Sequence, residues 1–152
     1  ILKIGILSDA HGNYRSFLRC LEHFEKSKVN HIFYLGDAIG YLPNVEVIDE
    51  LIKLDKKVSC VLGNHEDLFI NHFENYKEKK IYCANIIKKN IKNKHIHFIN
   101  TWPKFISLNI NKNKLLFIHG NPADHTYGYL YENSDFSEFN TPYNYIFAGH
   151  TH

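Results

Sequence analysis

Cysteine is scarce in this 152-residue chain. Cys20, Cys60 and Cys83 are odd in number and widely spaced, which excludes a disulfide framework and a zinc ribbon and leaves reduced thiols as the expectation. No apolar run approaches the ~18 residues of a membrane-spanning helix. The first residues lack the basic segment, apolar stretch and small-residue cleavage site of a secretory signal, so a reduced, cytoplasmic setting is expected. A dominant charge is missing too. Eighteen basic and 16 acidic residues leave +2, too little to draw in a membrane or a nucleic acid by bulk field. Arginine is nearly absent, with only Arg15 and Arg19, so the guanidinium forks that grip phosphate backbones are few. The stretch 77–94, with seven lysines and one acid, Glu78, therefore reads as a solvated helix face. A nucleic-acid partner is not expected.

Histidine is the residue in excess, with eleven copies. The apolar share of 44% and charged share of 22% are ordinary for a globular domain. About 150 residues suffice for one core. Neither figure explains the histidines.

Their placement does. The run Lys3–Leu7 reads as a buried strand and ends in Ser8-Asp9-Ala10-His11. Asn13 then stands as a helix N-cap before Phe17, Leu18, Leu21 and Phe24 at helical spacing. His31–Leu35 is a second buried run and ends in Gly36-Asp37. A helix is predicted over about 44–54, with Val47, Ile48, Leu51 and Leu54 on one face. Lys57–Leu62 is a third run and ends in Gly63-Asn64-His65. Strands alternating with helices imply a parallel sheet, and ligands collect beyond the carboxyl ends of such strands. Residues 66–100 read as helical. Two runs around Asn111-Lys112-Asn113 form a hairpin signal without the usual glycine. The second of these ends at His119-Gly120, and a last run, Tyr145–Ala148, ends at Gly149-His150-Thr151-His152. Tyr127, Tyr129 and Tyr131 alternate, and either line a substrate pocket or pack a loop on the sheet, the second being the expectation. His23, His31, His72, His95, His97 and His125 belong to no motif and are expected on the surface or satisfied in the core, with His125 a pocket neighbour at most.

Five strand ends thus supply Asp9, His11, Asp37, Asn64, His65, His119, His150 and His152, more than one metal site requires. Mixed carboxylate and imidazole donors suit borderline divalent metals such as Mn, Fe, Zn or Ni. A carboxylate shared between two cations would make a two-metal site of the kind used for phosphate-ester hydrolysis.

The order Asp-x-His, Gly-Asp, Gly-Asn-His-Glu, His and Gly-His-Thr-His, from Lys3 to His152, resembles the calcineurin-like metallophosphoesterase superfamily. That resemblance implies an α/β fold of two stacked mixed sheets flanked by helices. It implies that Asp9, His11 and His152 hold one metal ion, that Asn64, His119 and His150 hold a second, and that Asp37 bridges them. Manganese is the leading expectation for both ions, with Fe, Zn or Ni as alternatives. His65 would be the catalytic acid, giving a proton to the leaving alkoxide while hydroxide held between the metals attacks phosphorus. Asn64 and His65 would also touch substrate.

Gly40 and Tyr41 stand where calcineurin-type Ser/Thr phosphatases carry an Asp and an Arg. The usual carboxylate partner of the acid histidine is therefore missing from that loop. The Gly40-Tyr41 loop and His119-Gly120-Asn121-Pro122 are more similar to the small prokaryotic-type phosphoesterases, which include phosphodiesterases. Glu66 replaces the more usual Asp after His65. The family normally continues past the last His pair with further strands of the second sheet, so residues 1–152 are expected to form a single domain shortened at its C-terminal end. The function expected is metal-dependent hydrolysis of a phosphate mono- or diester. The alternatives are a non-catalytic scaffold on the same fold and a nuclease of the same superfamily.

Overall fold

The computed structural model describes residues 2–152. Each buried run becomes a short strand: β1 (Ile4–Leu7), β2 (His31–Tyr34) and β3 (Val58–Cys60). Between them lie α1 (Tyr14–Lys26) and α2 (Glu46–Leu54). Asn13 caps α1, its side-chain oxygen accepting the Ser16 N–H at 3.2 Å, which satisfies one of the free amides of the first turn. All three strands run parallel, in the order β1-β2-β3.

The middle segment is helical, as its sequence predicts, but in four pieces: α3 (Asn64–Asn71), α4 (Phe73–Glu78), α5 (Ala84–Asn90) and α6 (Asn93–Ile99). The breaks fall at His72, at the turn Lys80–Tyr82 with Cys83 in the left-handed region (φ 53°), and at the extended Ile91. The seven lysines of 77–94 are all exposed. His95 is buried and satisfied: Nδ1 accepts the Lys92 N–H at 3.1 Å and Nε2 donates to Asp49 at 3.0 Å, tying α6 to α2.

The hairpin is β4 (Phe105–Ile110) with β5 (Asn113–Ile118), closed by Asn111 and Lys112. Both turn residues have positive φ, 49° and 69°, the hand that matches strand twist, and the turn is made without glycine. β6 (Tyr145–Ala148) joins β5 in parallel, so the second sheet has the order β4-β5-β6 and is mixed.

Two cores follow from the period-two alternation of strand side chains. Phe33 points from β2 to the second sheet and stacks on Phe117 of β5, ring centroids 3.8 Å apart, alongside Leu35, Val61 and Leu115. Tyr34, its neighbour, points the other way, into the helices with Phe17, Leu51, Phe69 and Ile99. A side chain as fully buried as Phe117 contributes roughly 1.5–3 kcal/mol. The two sheets stack, and helices cover the outer face of the first. β1, β2 and β3 share one orientation, as do β5 and β6, and the polar residues after all five strands meet at one rim.

Candidate metal centre

Asp37 leaves the central strand of the first sheet, between the turns that follow β1 and β3. It is 1% exposed and has φ 58°, in the left-handed region. Asp9 (φ 56°), His11 (φ 45°) and His150 (φ 65°) share that uncommon conformation. Non-glycine residues held there are typical of built sites, at a cost of order 1–3 kcal/mol each. The turns lock together through their backbones. The Asp9 N–H donates to Gly36 O at 3.0 Å, the His11 N–H to Asp37 O at 2.9 Å, and the Gly149 N–H to His119 O at 2.9 Å. A Cβ on Gly36 would lie 2.6 Å from the Gly63 backbone, and one on Gly63 would strike the Asp37 carboxylate. The two turns approach this closely only because both carry glycine.

Glu66 holds the Asp37 turn from below. Its fully buried carboxylate accepts the N–H groups of Asp37 (2.8 Å), Ala38 (2.8 Å) and Ile39 (3.1 Å). Burial, reinforced by the Asp37 charge, pushes its carboxyl up to about 7. One Asp37 oxygen accepts the His65 N–H at 2.9 Å, in the first turn of α3, where helix amides and dipole favour an anion.

All eight residues expected at the site lie together. Ligand atoms of Asp9, His11 and His152 fall within 4.8 Å of one another, as do those of Asp37, His119 and His150, and those of His11, Asp37 and His65. Asn64 Oδ1 is 2.8 Å from His119 Nε2, and Asp37 Oδ2 is 3.3 Å from the same nitrogen. His11 Nε2 is 3.7 Å from both Asp9 and Asp37 carboxylate oxygens. Two of the buried atoms, Asp9 Oδ1 and His11 Nε2, have no hydrogen-bond partner among the described residues. Buried polar atoms are rarely orphaned, and an anionic oxygen beside an imidazole nitrogen is a donor set for a divalent cation.

The histidines are also oriented as ligands require. His119 Nδ1 donates to Leu35 O at 2.6 Å and His11 Nδ1 to Ile39 O at 3.2 Å. A carbonyl only accepts, so in the neutral rings both Nε2 atoms carry a lone pair toward the cluster. The donor set fits divalent metal ions.

Burial alone would lower the His119 pKa, but its hydrogen bond to Asp37 and the Asp37 and Asp9 charges raise it to about 9. The proton on Nε2 stands where a cation would. A metal bound there would displace that proton, so affinity should rise about tenfold per pH unit below about pH 9 and level off above it. Calorimetric titration with Mn across that range checks the slope. Burial pushes His65 the other way, down to about 4, against the opposing Asp37 charge.

Six of the eight, all but Asp9 and His119, line a cavity of about 290 Å³. Its walls include Tyr41, Tyr82, Tyr129 and Tyr131, and no lysine or arginine lines it among the described residues. Tyr129 and Tyr131 stack on each other at 5.5 Å, and Tyr129 lies 4.0 Å from His150. The sequence predicts that their loop packs on the sheet; its Tyr127 instead bonds Asp67 of α3, and the next two tyrosines form a wall of the cavity. His125 packs on Phe105 at 4.9 Å and does not line it. The three cysteines are free, with Cys60 buried. Sequence reasoning assigns no role to Glu66 beyond its motif, and none to Tyr76, whose hydroxyl lies 3.0 Å from His65 Nδ1. Glu66 is signalled by its place after His65, whereas nothing in the sequence marks Tyr76.

The sequence model of the calcineurin-like phosphoesterase superfamily domain matches residues 2–152. An uncharacterized protein of Methanocaldococcus jannaschii is 32% identical over 155 residues, covering 98% of this chain and 62% of the relative. The chain thus spans about three fifths of that relative's length. A metallophosphoesterase of Sphaerobacter thermophilus superposes with a TM-score of 0.70 at 26% identity, over 97% of this chain and 59% of the other. A hypothetical protein from Pyrococcus horikoshii shares the fold, with a TM-score of 0.83 at 16% identity, over 97% and 69%.

Proposed function

Since the chain belongs to the calcineurin-like phosphoesterase superfamily, we propose that its strand-end cluster hydrolyses a phosphate ester with two bound divalent cations, manganese first among the candidates. The observation that carries this reading is the pairing of two ligand groups around one buried carboxylate: Asp9, His11 and His152 on one side, His119 and His150 on the other, with Asp37 in reach of both. Asn64, 2.8 Å from His119, completes the second group. When bound, the cations supply a water of lowered pKa and offset phosphoryl charge.

The chain's own groups do the rest. Asp37 gives two anionic oxygens, held by the α3 amide. Glu66 keeps its turn in place through three amides. Asn64 is neutral, and its amide can donate to a phosphoryl oxygen. His65 holds a proton for the leaving oxygen. Tyrosine walls with no lysine or arginine among the described residues favour a singly charged diester with a flat group over a doubly charged monoester.

The test is turnover of bis-p-nitrophenyl phosphate and p-nitrophenyl phosphate with added Mn. This reading expects metal-dependent hydrolysis, with the diester preferred. A folded, metal-loaded protein that cleaves neither would favour the scaffold reading.

A further inference from the structure

Tyr76 is buried on α4, outside every sequence motif, with its hydroxyl oxygen 3.0 Å from His65 Nδ1. We propose that Tyr76 is a positioning residue that fixes the tautomer of His65, keeping a proton on Nε2, so that His65 serves as a donor and not as a third kind of metal ligand. The alternative is concrete, because His65 also lies within ligand distance of His11 and Asp37.

The three central histidines differ in what faces Nδ1. In His11 and His119 it is a backbone carbonyl, which forces the proton onto Nδ1 and bares Nε2. In His65 it is a phenol. The Tyr76 hydroxyl has no other partner among the described residues, and a buried O–H needs an acceptor. It therefore donates to Nδ1, and the proton of the neutral ring sits on Nε2. If the ring gains a second proton, Nδ1–H donates to a lone pair of the same hydroxyl, and the contact survives. Nε2 is protonated in both states, and the doubly protonated ring is the form that can give this proton to a leaving oxygen, which leaves a neutral ring with its proton on Nδ1 facing the Tyr76 oxygen. The hydroxyl is held in place because the Tyr76 ring stacks on Tyr82 at 5.1 Å and meets Phe69 edge-on at 5.7 Å. Tyr82 and Tyr41 in turn pack on the His65 ring at 4.5 and 5.3 Å.

The tautomer is a property of this chain, while its effect on turnover rests on the phosphoesterase reading. Two measurements keep them apart. Long-range ¹H–¹⁵N correlation spectra of the metal-free protein, labelled at histidine, should show neutral His65 with a bare Nδ1 and a protonated Nε2. Tyr76→Phe should let the two tautomers average. A protonated Nδ1 in the unmutated protein, or an unchanged tautomer in the variant, overturns the proposal. If Tyr76→Phe does not fold, the spectrum of the unmutated protein decides alone.

In turnover, Tyr76→Phe should cost ~10–100-fold, the range for lost orienting partners, with phenyl or alkyl leaving groups. It should cost far less with p-nitrophenol. Metal content should be unchanged, and the variant should add nothing in a His65→Ala background. An equal loss for all leaving groups, or a further loss in that background, would mark a merely structural role. Absence of turnover in the unmutated protein would count against the phosphoesterase reading and leave the spectral result standing.

Discussion

Asp37→Asn is expected to abolish metal binding and lower turnover by well over ~100-fold, the upper end of what losing an outer-shell partner of a metal ligand costs. Asp37 faces both ligand groups: Oδ2 lies 3.7 Å from His11 and 3.3 Å from His119. An amide offers one neutral oxygen where the two proposed cations would need a charge and two lone-pair sites. The variant should nevertheless fold. Asparagine can still accept the His65 N–H through Oδ1, and the buried carboxylate it removes is held ionised by the neighbouring histidines and that amide. Burial raises the Asp37 pKa, while the His119 hydrogen bond and the His119 and His65 charges outweigh it, so the group ends below its ordinary value. Without Asp37, His119 loses the partner that lifts it to about 9 and should titrate lower. Added Mn should raise the melting temperature of the unmutated protein, since a ligand at 100 times its Kd stabilises by about 2.7 kcal/mol. It should leave Asp37→Asn unmoved. Elemental analysis and thermal shift together check this.

His65→Ala should show the opposite separation, with metal retained and chemistry lost. His65 is nearly buried, lines the cavity and holds Tyr76 through Nδ1. A positioned acid is worth about 10²–10⁴-fold when the leaving group needs a proton, so alkyl and phenyl esters should lose that much in kcat. p-Nitrophenol leaves as a stable anion, and its esters should lose little. Metal content should match the unmutated protein. If it falls by half, His65 is a ligand, the grouping of His11, Asp37 and His65 is the true one, and Nε2 of His65 is not the proton donor.

Much of this site is legible in the sequence because a buried strand followed by polar residues is a local pattern. Asp9, Asp37, Asn64, His119 and His150 each follow an apolar run, and parallel pairing carries all five to one rim. The cap at Asn13 and the hairpin at 111–112 are local in the same sense. What the sequence hides is long-range. The bond between His65 and Tyr76 joins residues on different helices, and Tyr76 has only the look of a core aromatic. The left-handed backbone of Asp9, His11, Asp37 and His150 runs against local preference, and it occurs where turns from different strands bond to one another. The wall formed by Tyr129 and Tyr131 depends on a long crossover between β5 and β6 with almost no regular structure to read. The division of residues 64–99 into four helices falls at turns that carry no proline or glycine to signal them.

Diffraction from a manganese-soaked crystal at the Mn absorption edge would test the central claim most directly. Two anomalous peaks are expected, one against Asp9, His11 and His152, the other against Asn64, His119 and His150, with Asp37 between them and no contact to His65. No peak at these residues, or a single peak bound through His65 Nε2, would contradict it.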